Sequence, residues 1–223
     1  MLKLHSWQQR AWSIESWEIR PYREPYGPCG GGCVGSGCGD FERWNMWDRK
    51  SYVFYETLKN GTHVTVRAAR ADDGPKIRRA FVNLEPQTMY TRFFGYKPEI
   101  TDQELKRVTE ADFLYDVALV ATIGTGDEEV VIGGASYSAA HTQSPPSTAE
   151  IAFTVEEDCQ NLGIAGVLLR HIIGIARQNK LTQLTAEILA ANAPMLTVVR
   201  RCGLKAETRS TAGVVHVTLD LAG

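Results

Sequence analysis

Seven residues, Gln160-Asn161-Leu162-Gly163-Ile164-Ala165-Gly166, join a strand-like segment, Ala149 to Val155, to a helix-like segment, Gly166 to Gln178. A turn of small residues that feeds a helix leaves the first backbone N–H groups of that helix without intrahelical acceptors. With the positive end of the helix dipole, those donors form a site for phosphate or pyrophosphate. Gly163 and Ala165 keep bulk away from the backbone, so an anion can reach it. Strand, small-residue turn and helix in this order point to a layered α/β arrangement with an anion site at the joint.

The same helix places Val167, Leu168, His171, Ile172, Ile175 and Ala176 on one face, and Arg177 and Lys180 complement its negative end. His171, on the apolar face, reads as a core residue. Upstream, Val64 to Ala68 alternates like a half-buried strand. Asp72 and Asp73 open a helix to Val82, and Pro86 opens a short one to Phe94, stopped by Gly95. Thr101-Asp102-Gln103-Glu104 reads as a capping box at the start of a third. Strands are expected at Val117–Thr122 and Glu129–Ser138, around a hairpin turn at Gly124 to Asp127. Two more are expected at Thr182–Leu189 and Val214–Leu221. Between these lie a helix from Ala193 to Cys202, ended by Gly203, and one short strand more near Ala206. The expected class is α/β (α+β), a mixed central sheet of about six or seven strands flanked by helices.

Composition changes near residue 60. All five tryptophans (Trp7, Trp12, Trp17, Trp44, Trp47) precede it, as do Cys29, Cys33 and Cys38 in a stretch from Gly27 to Gly39 that holds seven glycines. Ordering such a stretch costs much backbone entropy, which favours a long loop with free thiols. The C-x3-C-x4-C spacing leaves open a zinc or iron–sulfur site at Cys29, Cys33 and Cys38, with His5 or Asp40 as a fourth ligand, or a redox-sensitive loop. Residues 1–60 thus read as an extension of unknown function, and 61–223 as the α/β domain.

The formal net charge is −2 with no long run of like charge, which argues against a nucleic-acid or membrane-surface partner. No apolar stretch approaches the ~18 residues that span a bilayer. The N-terminus carries no secretory apolar core, and the five cysteines, an odd number, suit reduced thiols, so a cytoplasmic monomer or homodimer is expected.

With these elements in order, the chain resembles the GNAT superfamily of acyl-CoA N-acyltransferases over roughly residues 62 to 222. Gln160, Gly163 and Ala165 match the Gln/Arg-x-x-Gly-x-Gly/Ala acyl-CoA motif, and Arg201-Cys202-Gly203-Leu204 resembles the family's R-x-G-F ending. Within the superfamily, the chain is most similar to the Pat-type protein lysine acetyltransferases. The residues that carry this are Tyr90 to Gly95, Asp112 to Ala121, Ala149-Glu150-Ile151-Ala152-Phe153 and Val214 to Leu221.

The resemblance implies acetyl-CoA as acyl donor, its pyrophosphate on the turn Gln160, Asn161, Leu162, Gly163, Ile164, Ala165, Gly166. It implies a pantetheine arm along Phe153, Thr154 and Val155, in a gap between that strand and the next, and a contact from Asn192. Asn192 also suits a helix N-cap ahead of Ala193-Pro194. An amine acceptor must lose a proton, since a lysine amine titrates near ~10.4. Glu150 matches the family's glutamate base, and partial desolvation among apolar neighbours would suit that role. Glu156, Glu157 and Asp158 could recognise a basic substrate but read more simply as a solvated acidic turn. The family's usual tyrosine acid is Val199 here; Tyr137 and Ser138, on a neighbouring strand, are possible substitutes. The acceptor is expected to be a protein lysine. The alternatives are a small-molecule amine and a non-catalytic acyl-CoA sensor.

Overall fold

The computed structural model describes residues 52–95, 97–142 and 144–222, so Cys29, Cys33 and Cys38 lie outside the described residues. Eight strands form one sheet: β1 (Val53–Thr57), β2 (His63–Ala68), β3 (Asp116–Ile123), β4 (Val130–Ala139), β5 (Thr148–Val155), β6 (Gln183–Leu189), β7 (Ala206–Thr211) and β8 (Val214–Asp220). Their spatial order is β1-β2-β3-β4-β5-β6-β8-β7. Every neighbouring pair is antiparallel except β5–β6, which is parallel. The helices are α1 (Gly74–Val82), α2 (Pro86–Phe93), α3 (Asp102–Thr109), α4 (Ile164–Gln178) and α5 (Ala193–Arg200).

The central strand β3 is buried along almost its whole length because both its faces are covered. Consecutive side chains alternate between faces. Leu119 joins Tyr137, Ile151, Leu184 and Leu219 in the main core beneath Leu168 and Ile172 of α4. Ala118 and Val120 meet Ile77 of α1 and Val108 of α3 on the opposite side. α2 packs on β5. Each large apolar side chain fully buried on α4 contributes about 1.5–3 kcal/mol of transfer free energy, so this stripe binds the helix firmly to the sheet.

Local sequence explains the helix boundaries. Thr101 and Glu104 form the expected capping box, with the Thr101 side chain accepting from the Glu104 N–H. Pro86 occupies the first turn of α2, and Phe94 stops that helix in the left-handed region at φ 58. His171 is buried as expected. The Tyr52 hydroxyl lies 2.7 Å from its Nδ1, and its Nε2 faces Glu56 at 3.0 Å. No described helix is long and apolar enough to cross a membrane.

The sheet has eight strands where six or seven were expected. The unforeseen one is β1, which lies in the stretch that composition groups with the extension. It is a sheet edge with Tyr55 85% exposed, so its sequence shows no strong inward stripe. Its definition comes from pairing with β2, from Val53↔Arg67 to Thr57↔His63. The short strand near Ala206 is present as β7, exposed along its whole length.

Candidate active site

The site begins where the sheet opens. β5 and β6 pair only through Thr148↔Gln183, Ala149↔Leu184 and Glu150↔Thr185. Beyond Glu150, β5 keeps its partner on the other side, β4, up to Gly133↔Val155. The edge of Ile151 to Val155 that faces β6 therefore has no strand partner, and a wedge opens between the two strands. Near the mouth Gly133 permits the close approach of β4 to β5: a Cβ there would lie 3.1 Å from the Thr154 carbonyl oxygen. A bulge at Ala121/Thr122 in the β3–β4 pairing bends β4 in the same region, where the Ile132 carbonyl accepts the Glu156 N–H at 3.0 Å.

The expected turn sits at the mouth of the wedge. A single 3-10 turn, Glu157–Cys159, and residues 160–163 carry the chain from β5 into α4. Gly163 is the N-cap, at φ 94, where a side chain would be strained. The helical ladder starts with the Val167 N–H on the Gly163 carbonyl, 3.0 Å away. Ile164, Ala165 and Gly166 thus present their N–H groups ahead of the ladder, and no side chain caps them. The backbone N–H of Lys59 donates to the Leu162 carbonyl at 3.5 Å, and burial, then the nearby charge of Arg201, pulls the Lys59 amine below its ordinary range.

Gln160 acts through its side chain. Its Nε2 donates to Thr88 Oγ1 of α2 at 3.0 Å and to the Val155 carbonyl at 3.2 Å. Glu157 accepts the Glu85 N–H at 3.0 Å. The turn is thereby fastened to the start of α2 as well as to β5. For Glu157 this is a structural task. For Glu156, burial and then the neighbouring charges of Glu157 and Asp158 push its carboxyl upward.

Glu150 stands at the closed end of the wedge, at the last β5–β6 pair. It is exposed, and among the described residues its carboxylate makes no ion pair. Among the described residues the apolar enclosure expected around it is not found. Its sequence neighbours Ala149 and Ile151 are buried in the opposite face, as strand alternation requires. Arg92 of α2, half-buried, feels the charge of Glu150. Burial pushes its guanidinium downward, and the Glu150 and Glu104 carboxylates push it back up. A cleft of about 180 Å³ runs from Glu150 across Thr185, Glu187, His216 and Thr218. Neither Arg92 as a neighbour of Glu150 nor the Glu187–His216 side of the cleft was singled out from sequence. Cross-strand register creates the latter, and no local spacing marks it.

Asn192 caps α5, its Oδ1 accepting the Met195 N–H at 3.1 Å. Val199 is 2% exposed in the core. Tyr137 does not replace the missing acid. Its hydroxyl donates to the Leu114 carbonyl at 3.1 Å and accepts from Asn179 at 2.6 Å, and burial pushes its phenol well upward. Ser138 is Glu150's register neighbour, but its hydroxyl is committed to Asp116 at 2.6 Å.

This geometry agrees with comparisons to known proteins. The sequence model of the acetyltransferase (GNAT) domain family matches residues 63–205. Acetyltransferase PA5475 of Pseudomonas aeruginosa is 32% identical over 140 residues, which span 63% of this chain and 74% of that protein. The crystal structure of the GNAT domain of S. lividans PAT superposes with a TM-score of 0.69 at 29% identity, covering 75% of this chain and 96% of that one. The yncA protein of Salmonella typhimurium, solved with its cofactor acetyl-CoA, superposes at 0.58 with 21% identity over 71% of this chain and 94% of its own. The chain belongs to the GNAT family of acetyltransferases, enzymes that move an acyl group onto an amine.

Proposed function

We propose that the protein transfers acetyl from acetyl-CoA to the side-chain amine of a protein lysine. The amine attacks the thioester directly, and Glu150 accepts a proton from the attacking nitrogen. The observation that carries this reading is the wedge itself: a helix N-terminus without a side-chain cap at its mouth, and at its closed end a carboxylate with no ion pair among the described residues. The pyrophosphate lies on the N–H groups of residues 162–166, with Lys59 and Arg201 as nearby countercharge. The pantetheine amides pair with the free edge of Phe153, Thr154 and Val155, as an added strand would. Asn192 reaches the cofactor from the start of α5 while keeping its cap. The bound arm, filling the wedge, encloses Glu150. The Pat-type motifs and the likeness to the S. lividans PAT domain support a lysine acceptor.

Intact-mass analysis of candidate acceptor proteins incubated with acetyl-CoA tests this reading, with spermidine as the small-amine control. Gains of about 42 Da per acetyl group on lysines are expected. Turnover of spermidine alone would move the acceptor to small amines.

Gly163→Ala tests the turn. A Cβ at φ 94 costs roughly 1–2 kcal/mol of backbone strain and distorts the donors beneath the phosphates. Calorimetry should show acetyl-CoA binding weakened about tenfold. Unchanged affinity would place the pyrophosphate elsewhere.

A further inference from the structure

The reaction leaves one proton more than Glu150 can hold. A lysine ammonium that becomes an amide loses two N–H protons: one before the nitrogen attacks and one as the tetrahedral intermediate collapses. One of them ends on the departing CoA thiolate, and the other leaves to solvent. With the usual tyrosine position occupied by buried Val199, and Tyr137 and Ser138 committed elsewhere, no other described hydroxyl considered so far is available for this traffic.

The cleft that starts at Glu150 contains a second candidate. Glu150 pairs with Thr185, and Thr185 with Thr218, so these side chains share one face of the sheet. Two residues along the same face, Glu187 of β6 pairs with His216 of β8. The His216 Nδ1 lies 3.2 Å from Glu187 Oε1. A carboxylate on Nδ1 fixes the tautomer that carries its proton there and leaves Nε2 as the acceptor nitrogen. The two side chains are 47% and 55% exposed, so a proton taken by the imidazole can pass to water. Charged groups on the same face among the described residues include Arg209 of β7, the register partner of His216, Glu207, two positions further along opposite Thr218, and Asp220 of β8.

We infer that His216, oriented by Glu187, is a second proton acceptor, placed in the cleft through which the acceptor amine approaches Glu150. The ammonium N–H bond breaks and an Nε2–H bond forms. The positive charge moves to an imidazolium beside Glu187, and the neutral amine goes on to attack the thioester. Glu150 then takes the second proton next to the reacting carbon, where it can return it to the thiolate. This division of labour rests on the proposed role of Glu150. His216 is a catalytic residue in this scheme and Glu187 a positioning residue.

The test is the pH profile of kcat/KM for acetyl transfer to a lysine-rich peptide and to butylamine, a bare analogue of the lysine side chain. H216Q should lose about tenfold or more near pH 7 and approach the wild type near pH 10, where the amine deprotonates unaided. Free imidazole should restore part of the loss, which it would not do for a merely structural residue. E187Q should show a smaller loss of the same shape. Unchanged acetyl-CoA binding by calorimetry shows that the variants are folded. An H216Q profile superimposable on the wild type, with E150Q inactive, overturns this inference and leaves Glu150 standing. An active E150Q overturns the reading of Glu150 instead. A wild type that acetylates neither probe at any pH overturns the assignment of the cleft to amines.

Discussion

Glu150→Gln is expected to lower kcat for acetyl transfer by a factor on the order of 10² to 10⁴ while leaving acetyl-CoA affinity unchanged. The substitution keeps the shape of the side chain and removes its ability to accept a proton. Among the described residues Glu150 makes no ion pair, so the fold loses with the charge only its longer-range attraction to Arg92. Its backbone still closes the last β5–β6 pair with Thr185. In the proposed binding mode acetyl-CoA is held by the turn at α4, five strand residues and a 3-10 turn away, and along the free edge of Phe153 to Val155. Turnover that remains should rise only weakly with pH, because His216 still supplies neutral amine and the step that has lost its base is removal of the second proton as the intermediate collapses. Stopped-flow or steady-state assays across pH, with calorimetry for the cofactor, read both effects. A wild-type rate at neutral pH would remove Glu150 from the chemistry. Loss of acetyl-CoA binding would instead make it part of the cofactor site.

Local signals made the cofactor side of this site legible in sequence. The turn, its glycines, the apolar stripe of α4 and the cap at Asn192 are each defined within a few residues. Their structure follows from backbone sterics and helix-end hydrogen bonding. The acceptor side is assembled from distant pieces. Ala149 and Ile151 look like an apolar surrounding for Glu150 along the chain, yet they point into the opposite face. Glu187 and His216 meet only because β6 and β8 pair antiparallel in one register. Arg92 reaches the neighbourhood of Glu150 because α2 packs on β5. Edge strands share this difficulty. β1 and β7 have little to bury, so the alternation that reveals a strand is weak, and their partners β2 and β8 define them. Val199 shows the converse: its identity was plain in sequence, and its burial follows from the apolar face of α5.

Arg67→Ala is expected to destabilise the domain by about 3–5 kcal/mol, the cost of removing one partner from a buried ion pair. Arg67 and Asp73 are 3% and 1% exposed, and they form a two-pronged pair with both N–O distances at 2.7 Å. The remaining guanidinium donors go to Glu129, at 3.1 and 2.9 Å, and to the Ala68 carbonyl at 3.2 Å. All five N–H groups of the arginine are therefore used. Lys76 and Thr122 also bond to Glu129, at 2.6 and 3.0 Å. Burial alone would raise the Glu129 carboxyl, but the bonds from Arg67, Lys76 and Thr122 outweigh it and hold it at about 2. Its folded value lies below the ordinary value of 4.5, so its contribution is complete above that value and is lost as pH falls toward about 2. Urea denaturation should accordingly show the gap between wild type and R67A at its full size near pH 7 and narrowed near pH 3. An equal gap at both pH values would mean that Arg67 acts by packing alone. The network joins β2, Thr122 of β3 and the residue before β4 to the start of α1, whose Phe81 packs with Met89 of α2.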